Sequence, residues 1–468
     1  MNLFSPLLIF ILGIPLINGF IRFPFGEPFR IANREIKKDI FYELPESQES
    51  ILKKINGFYG LIGPDIDINN VTNIFDLFTG DGVIQGIFFD NGELTFVKKF
   101  IRTDKLLYEE ENGRIPNHNV FKILFGLFNK VNALPDLLGL ANTALLQINK
   151  KTYALYERDL PYEIDINFEN KTIETIGRKQ ICGISHVSAH TKFNKEKNII
   201  ETIDYDITSN SVKYLELTPD LYIKRSKSIK LDYLPVIHDF WTTDKHVILF
   251  DSPLQVELTK IIINPMPVFL NPKKNTMIHL LDKQTMTVEK YDMGTSAYLF
   301  HFANSKENNT HIDIYASFYD SLDFSDLNIK GKYRKVSINK VTKQVSIQKN
   351  RIFENMDIEF PILYKNCTIF RSIKNKINNG FVICEDLHIR ARIQFTDRFI
   401  AGEPAIVTID GVGQMISFCF HKDNNRCGYL LIINLDTYEQ IEIPLLDSIN
   451  LGFHSIFLPN SDNSTLEP

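Results

Sequence analysis

The feature that most constrains this chain is its punctuation. Past residue 40 it runs in short β-type segments, each bounded by Asn, Asp, Gly, Ser or Lys. VIQGIFF is followed by Asp90-Asn91-Gly92 and then by ELTFVKKFI. Asn-Gly between two such runs is a strong hairpin signal, because both central residues of the tight turn need positive φ. TYALYERDL, ETIDYDITS, VKYLEL, HVILFD, MIHLLD, KVSIN and QVSIQ continue in the same style, as do FVICED, AIVTID, MISFCF and YLLIINL. Long helical periodicity is rare. The chain reads as all-β.

An all-β chain of 468 residues has many strand edges to protect. Blades closing around an axis protect them, and seven blades of typically four strands would take about 65 residues each. The expected architecture is a seven-bladed β-propeller with a few helices capping one face. No low-complexity linker divides the chain, so residues 21–468 are read as a single propeller domain, with residues 1–20 as a separate apolar segment. The 36 Phe and 18 Tyr supply rings for a large core.

Charge and cysteines exclude some functions. Lys+Arg number 52 against 57 Asp+Glu, which rules out an extended basic face built for nucleic acid. Cys182, Cys367, Cys384, Cys419 and Cys427 are odd in number and widely spaced, with no CxxC pair. They make neither a metal knuckle nor a dense disulfide framework, which favours a reducing compartment.

Two apolar segments bear on membranes. LFSPLLIFILGIPLINGF carries no charge before Arg22 and contains Pro6 and Pro15. It lacks the basic region of a signal peptide and is short for a span, so signal, anchor and membrane-docked segment all stay open. In NVFKILFGLFNKV, Phe121, Leu124, Phe125, Phe128 and Val131 share one helical face, with Lys122 and Lys130 beside them. That face either packs on the sheet core or enters lipid. The expectation is a cytoplasmic protein associated peripherally with a membrane surface.

Four of the eleven histidines have similar settings. His190 in ISHVSAHTKFN, His238 in LPVIHDFWTTDKHV, His301 in AYLFHFANSKEN and His454 in INLGFHSIFLPN are flanked by small, apolar or aromatic residues, as at buried strand ends. Their gaps of 48, 63 and 153 residues read as one, one and about two blades of roughly 65 residues. Ligands spaced by whole blades can all point at the central axis. Strand-borne histidines are also common in ordinary cores.

Across residues 38 to the end the sequence resembles the carotenoid cleavage oxygenase family. INGFYGLIGPDID resembles the opening "LNGxYxRNGP", and FTGDGVIQGIFFDNGELTFVKKFIRTDKL resembles the "GDGMIH…F…RT" hairpin. ANTALLQINKKTYALYERDLPYEID is similar to "NTxxxxxxGxLxALYExGxPYxL". HTKFN, HDFWTT and HFAN stand where the family has "HPKxD", "HDFxxT" and "HFxNA", followed by IEFP, AGEP and GFHSIFLPN.

The resemblance implies a seven-bladed propeller with one Fe(II) per chain on its axis, held by His190, His238, His301 and His454. Neutral imidazoles suit Fe(II), and four nitrogens in an octahedral shell leave positions for dioxygen. It also implies carboxylates behind three of the rings: Glu157 behind His238, Glu359 behind His301 and Glu403 behind His454. Such carboxylates fix the imidazole tautomer. His186, four residues before His190, is the nearest rival ligand, since i and i+4 share a face on a strand.

The implied activity is oxidative cleavage of a conjugated C=C bond of a carotenoid or apocarotenoid to carbonyl products, with the apolar polyene and O2 as partners. Alternatives are a stilbene-cleaving dioxygenase, a retinoid isomerase, and a non-catalytic carotenoid- or lipid-binding propeller. The sequence departs from the pattern in places. The opening motif's Arg and Asn are Leu61 and Ile62, and the "GDGMIH" His is Gln85. The Pro of "HPK" is Thr191, and the Arg usual after "EFP" is Ile362. These bear on substrate and loop geometry more than on the metal.

Overall fold

The Asn-Gly signal produces its turn. Gly82–Asp90 and Glu93–Phe100 pair antiparallel with Asp90 opposite Glu93, and φ is 51° at Asn91 and 99° at Gly92. Hairpins of this kind recur through the computed structural model, which describes residues 38–460 apart from 46, 48, 67–70, 72–76, 113–138, 207–208, 258–267, 325–329, 375–376 and 422–427. The apolar segment 1–20 and the Phe121–Phe128 face lie outside the described residues.

Seven antiparallel sheets form the blades. Blade 1 runs outward from the axis as Ser455–Pro459, Gly57–Pro64, Gly82–Asp90, Glu93–Phe100 and Ile40–Glu43. Blade 2 is Ala144–Ile148, Lys151–Leu155, Tyr162–Asn167 and Thr172–Arg178, and blade 3 is Lys192–Asn194, Ile199–Asp206, Ser211–Leu217 and Ile223–Lys230. Blade 4 comprises Trp241–Thr242, His246–Asp251, Met277–Asp282 and Val288–Asp292, with a separate ribbon of Leu254–Val256 and Val268–Leu270. Blade 5 is Tyr298–Glu307, His311–Tyr319, Lys332–Asn339 and Val345–Lys349. Blade 6 is Asp357–Tyr364, Cys367–Lys374, Ile377–Glu385 and His388–Gln394. Blade 7 joins Arg398–Ile400 and Ala405–Ile409 to Val412–His421, then Gly428–Asn434 and Gln440–Pro444.

The ring closes through blade 1. Ser455–Pro459 pairs with Gly57–Pro64, Leu61 opposite Ser455 and Gly57 opposite Pro459. Closure gives the inner edge of blade 1 a partner. Between blades, alternate side chains meet in dry layers: Tyr59, Leu61 and Phe96 of blade 1 pack with Ile416, Phe418 and Leu430 of blade 7. Ile248 and Phe250 of blade 4 likewise pack with Phe302, Ile314 and Phe318 of blade 5.

Of the helices expected on one face, the described residues hold one complete α-helix, Asp104–Asn112, and two 3₁₀ turns, Ser50–Lys53 and Phe353–Asn355. Blade lengths also correct the histidine spacing. The 153 residues from His301 to His454 span three blade steps, not about two. The later blades are compact, with first strands beginning at Tyr298, Asp357 and Arg398, whereas 79 residues separate the end of Gly57–Pro64 from the start of Ala144–Ile148.

Candidate metal centre

All four histidines arrive at the axis from the start of an innermost strand. His190 precedes Lys192–Asn194, His238 precedes Trp241–Thr242, His301 lies in Tyr298–Glu307, and His454 precedes Ser455–Pro459. Blades 3, 4, 5 and 1 thus each contribute one ring. One nitrogen from each of the four lies within 4.8 Å of the others. His190 Nε2 is 3.1 Å from His238 Nε2, which is 3.3 Å from His301 Nε2. The His190 and His454 ring centroids are 4.8 Å apart.

The three glutamates stand behind three of these rings. His301 Nδ1 donates to Glu359 Oε2 at 2.7 Å and His454 Nδ1 to Glu403 Oε2 at 3.2 Å, while His238 Nδ1 contacts Glu157 Oε1. The carboxylates come from blades 6, 7 and 2. None of the three serves His190. With the proton held on Nδ1, each braced ring turns a bare Nε2 lone pair to the axis. Two such nitrogens 3.3 Å apart have no hydrogen to share, so lone pairs converging in a buried site call for a cation. Imidazole nitrogens bound side by side to one ion at about 2.1 Å lie about 3 Å apart, close to the separations seen. The donor set fits a divalent transition metal.

Burial favours the neutral, metal-ready form at two of the four rings. Desolvation, followed by the neighbouring histidines, pushes the pKa values of His190 and His301 well below the usual imidazole range. At His238 burial acts the same way, but the Glu157 carboxylate outweighs it and the pKa is raised. Glu359 is pushed up to about 7 by burial, against hydrogen bonds from Phe360 N–H and the Tyr319 hydroxyl.

His186 is not brought to the axis. Its Nδ1 contacts Asp204, and its Nε2 lies 3.2 Å from Ser185 Oγ. Residues 181–191 form turns here, not strand, so the i, i+4 argument does not apply. Cys182, Cys367, Cys384 and Cys419 are unpaired thiols.

Several residues that position the site were not singled out in the sequence. Asp239, next to His238, is buried and accepts from Lys192 Nζ at 2.8 Å and from the backbone N–H groups of Phe240 and Phe302 at 2.8 and 3.0 Å. It therefore ties together the inner strands that carry His190, His238 and His301. Its place beside a motif histidine was the available signal. Tyr319 donates to Glu359 Oε1 at 2.8 Å. Phe360 occupies a bulge at φ 56°, where its N–H donates to Glu359 Oε2 at 2.9 Å. Its ring lies 5.0 Å from His301 and 5.5 Å from His454. A non-glycine residue in that region is held there by its surroundings. Gly452 fixes the approach of His454: a Cβ there would lie 2.4 Å from Leu61 Cγ.

A family model described as retinal pigment epithelial membrane protein (RPE65) matches residues 50–459. The chain belongs to the carotenoid cleavage oxygenase family. Carotenoid 9,10(9′,10′)-cleavage dioxygenase 1 of Pisum sativum is 26% identical over 276 residues, 55% of this chain and 50% of that one. The 9-cis-epoxycarotenoid dioxygenase NCED6 of Arabidopsis thaliana is 27% identical over 261 residues, 50% of this chain and 44% of its own. The matched stretches span about half the length of these relatives. Cobalt-substituted Synechocystis ACO superposes with a TM-score of 0.73 at 19% identity, covering 92% of this chain and 98% of that one. An ACO/RPE65 chimera gives 0.74 at 19% identity, with the same coverage. These structures share the carotenoid oxygenase fold.

Proposed function

We propose that this carotenoid cleavage oxygenase homologue is an Fe(II)-dependent dioxygenase that cleaves a conjugated C=C bond of a carotenoid or apocarotenoid into two carbonyl products. The observation that carries the reading is the buried cluster of four converging imidazoles with three carboxylates behind it. His190, His238, His301 and His454 would hold one iron per chain, which supplies dioxygen activation beside the double bond. The overall reaction, one C=C and one O2 giving two C=O groups, balances without an external reductant.

The remaining chemistry belongs to the protein. Glu157, Glu359 and Glu403 hold three rings in a single tautomer, so that neutral donors face the metal. Phe300 lies 5.3 Å from His238, and Phe360 covers His301 and His454. Phe453, beside His454, stacks on Phe78 at 5.3 Å. These rings keep water from the axis and favour an apolar polyene over a polar substrate. No side-chain nucleophile or general base is required. A polyene that partitions into lipid would enter through an apolar surface, and Phe121, Leu124, Phe125 and Phe128 are proposed to supply it at a membrane.

The test is iron per chain after anaerobic Fe(II) reconstitution of wild type and His238→Ala, then product analysis under ¹⁸O2 with a carotenoid, an apocarotenal and a stilbene. About one iron in wild type, lost in the variant, with labelled carbonyl products from a polyene, is the expected result. A folded wild type that takes up no iron refutes the reading. Iron uptake with polyene binding but no turnover would instead leave a binding propeller.

A further inference from the structure

Arg371 is a buried cation beside the metal centre that neither the sequence motifs nor the proposed chemistry uses. It lies on Cys367–Lys374, the second strand of blade 6, directly opposite Glu359 in the register with Asp357–Tyr364. Its side chain is 3% exposed. Nε and Nη1 find no hydrogen-bond acceptor among the described residues. The guanidinium carbon lies 4.4 Å from the centroid of the Phe360 ring, the ring that packs on His301 and His454. Glu403, Tyr59 and Glu359 are near enough to act on its charge. Burial lowers its pKa to about 10 against their pull, so it stays cationic at neutral pH.

The charge balance gives this placement a meaning. With a divalent metal bound and all three carboxylates ionised behind four neutral imidazoles, the carboxylates exceed the metal by one negative charge. Asp239 does not enter the sum, because Lys192 pairs with it at 2.8 Å. Arg371 is the buried cation that acts on Glu403 and Glu359, while Arg158 acts on Glu157. The opening motif that this sequence resembles carries an Arg where the chain has Leu61. Leu61 faces the Gly402 backbone, next to Glu403: a Cβ on Gly402 would lie 2.3 Å from Leu61 Cδ1. Blade 1 thus presents an apolar side chain next to Glu403, and blade 6 supplies a cation that acts on it.

We propose that Arg371 is the counter-charge of the metal centre, a positioning residue that offsets the excess carboxylate charge behind the histidines and biases the bound metal toward its divalent state. The inference rests on the iron-site reading above. A unit charge acting through an effective dielectric of about 20 from the layer of side chains behind the histidines gives a bias on the order of tenfold in the Fe(II)/Fe(III) ratio. A tenfold change is 59 mV for a one-electron couple.

The experiment measures the Fe(III)/Fe(II) midpoint potential, by EPR-monitored redox titration, of iron-loaded wild type, Arg371→Met, Arg371→Gln and Arg371→Lys. Both neutral variants are expected to move negative by about 59 mV, the tenfold change above, with the Lys variant near wild type. Equal potentials in all four folded, loaded proteins overturn the proposal. Loss of iron in the Met and Gln variants also overturns it, because removing a cation should not by charge alone weaken the binding of a metal ion. Loss of iron in the Lys variant as well assigns Arg371 to packing and overturns it. A wild type that takes up no iron is a different outcome, and defeats the functional reading instead.

Discussion

Glu359→Gln isolates what a carboxylate does behind a ligating histidine. In the native site Oε2 accepts from His301 Nδ1–H at 2.7 Å and Phe360 N–H at 2.9 Å, and Oε1 accepts from Tyr319 at 2.8 Å. A glutamine can place its carbonyl oxygen where Oε2 stands and keep the first two bonds. Its amide then faces the Tyr319 hydroxyl, which can turn to accept. The shape survives and the charge is lost. Bonds to a charged acceptor contribute about 1.5–3 kcal/mol and neutral ones about 0.5–1.5 kcal/mol, so His301 loses about 1–2 kcal/mol of support. Metal affinity should fall by roughly fivefold to thirtyfold, overlapping the range known for partners of metal-bound histidines. Titration of the metal-free protein with Co(II) against a competing chelator measures it. Thermal melts without metal check that the variant folds. Glu359→Ala is the poorer probe, because it strands three buried donors at about 1–3 kcal/mol each. A folded Glu359→Gln that binds Co(II) within twofold of wild type would refute the claim that this carboxylate supports the metal.

Other outcomes follow from the same geometry. His190→Ala should abolish tight metal binding while His186→Ala, altered at a ring held by Asp204 and Ser185, should load normally, as elemental analysis would show. Asp357 is raised to about 7, first by burial. A raised acid adds stability below its unfolded pKa that is lost as pH rises through the folded value, so the contribution of Asp357 should fall between about pH 4 and 7 by at most about 4 kcal/mol. Asp357→Asn should reduce the pH dependence over that range in urea melts, Glu359 keeping its own share, and parallel curves would exclude it. Asp239→Ala leaves two backbone donors and Lys192 without their acceptor and should cost roughly 3 kcal/mol or more, read as a lowered melting temperature. Replacing Phe125 with Asp and Phe128 with Ser should release the protein from liposomes in a flotation assay, and retained binding would sink the membrane proposal.

The legible part of this molecule is local. Side chains alternate with a period of two along a strand, and positive φ selects Asn-Gly, so strands and the Asn91-Gly92 hairpin follow from neighbouring residues. The histidines and glutamates were found because each sits in a short motif within a few residues of chain. Residues outside such motifs gave no warning. Arg371 looks like any strand arginine until its register opposite Glu359 and its contact with Phe360 are known. His186 and His190 have similar local settings, and only the turns at 181–191 send one to Asp204 and the other to the axis.

Blade spacing belonged to the tertiary structure as well, since an average blade length could not show that three compact blades fit between His301 and His454. By itself, the sequence determined the strand character of the chain and, through its motifs, the identity of the candidate ligands. Tertiary structure decided the closure of residues 57–61 on 455–459, the convergence of four blades on one point, and the charge enclosed behind it. The physical reason is range: strand alternation and turns are set by adjacent residues, whereas pairing, burial and field depend on residues the fold alone makes neighbours.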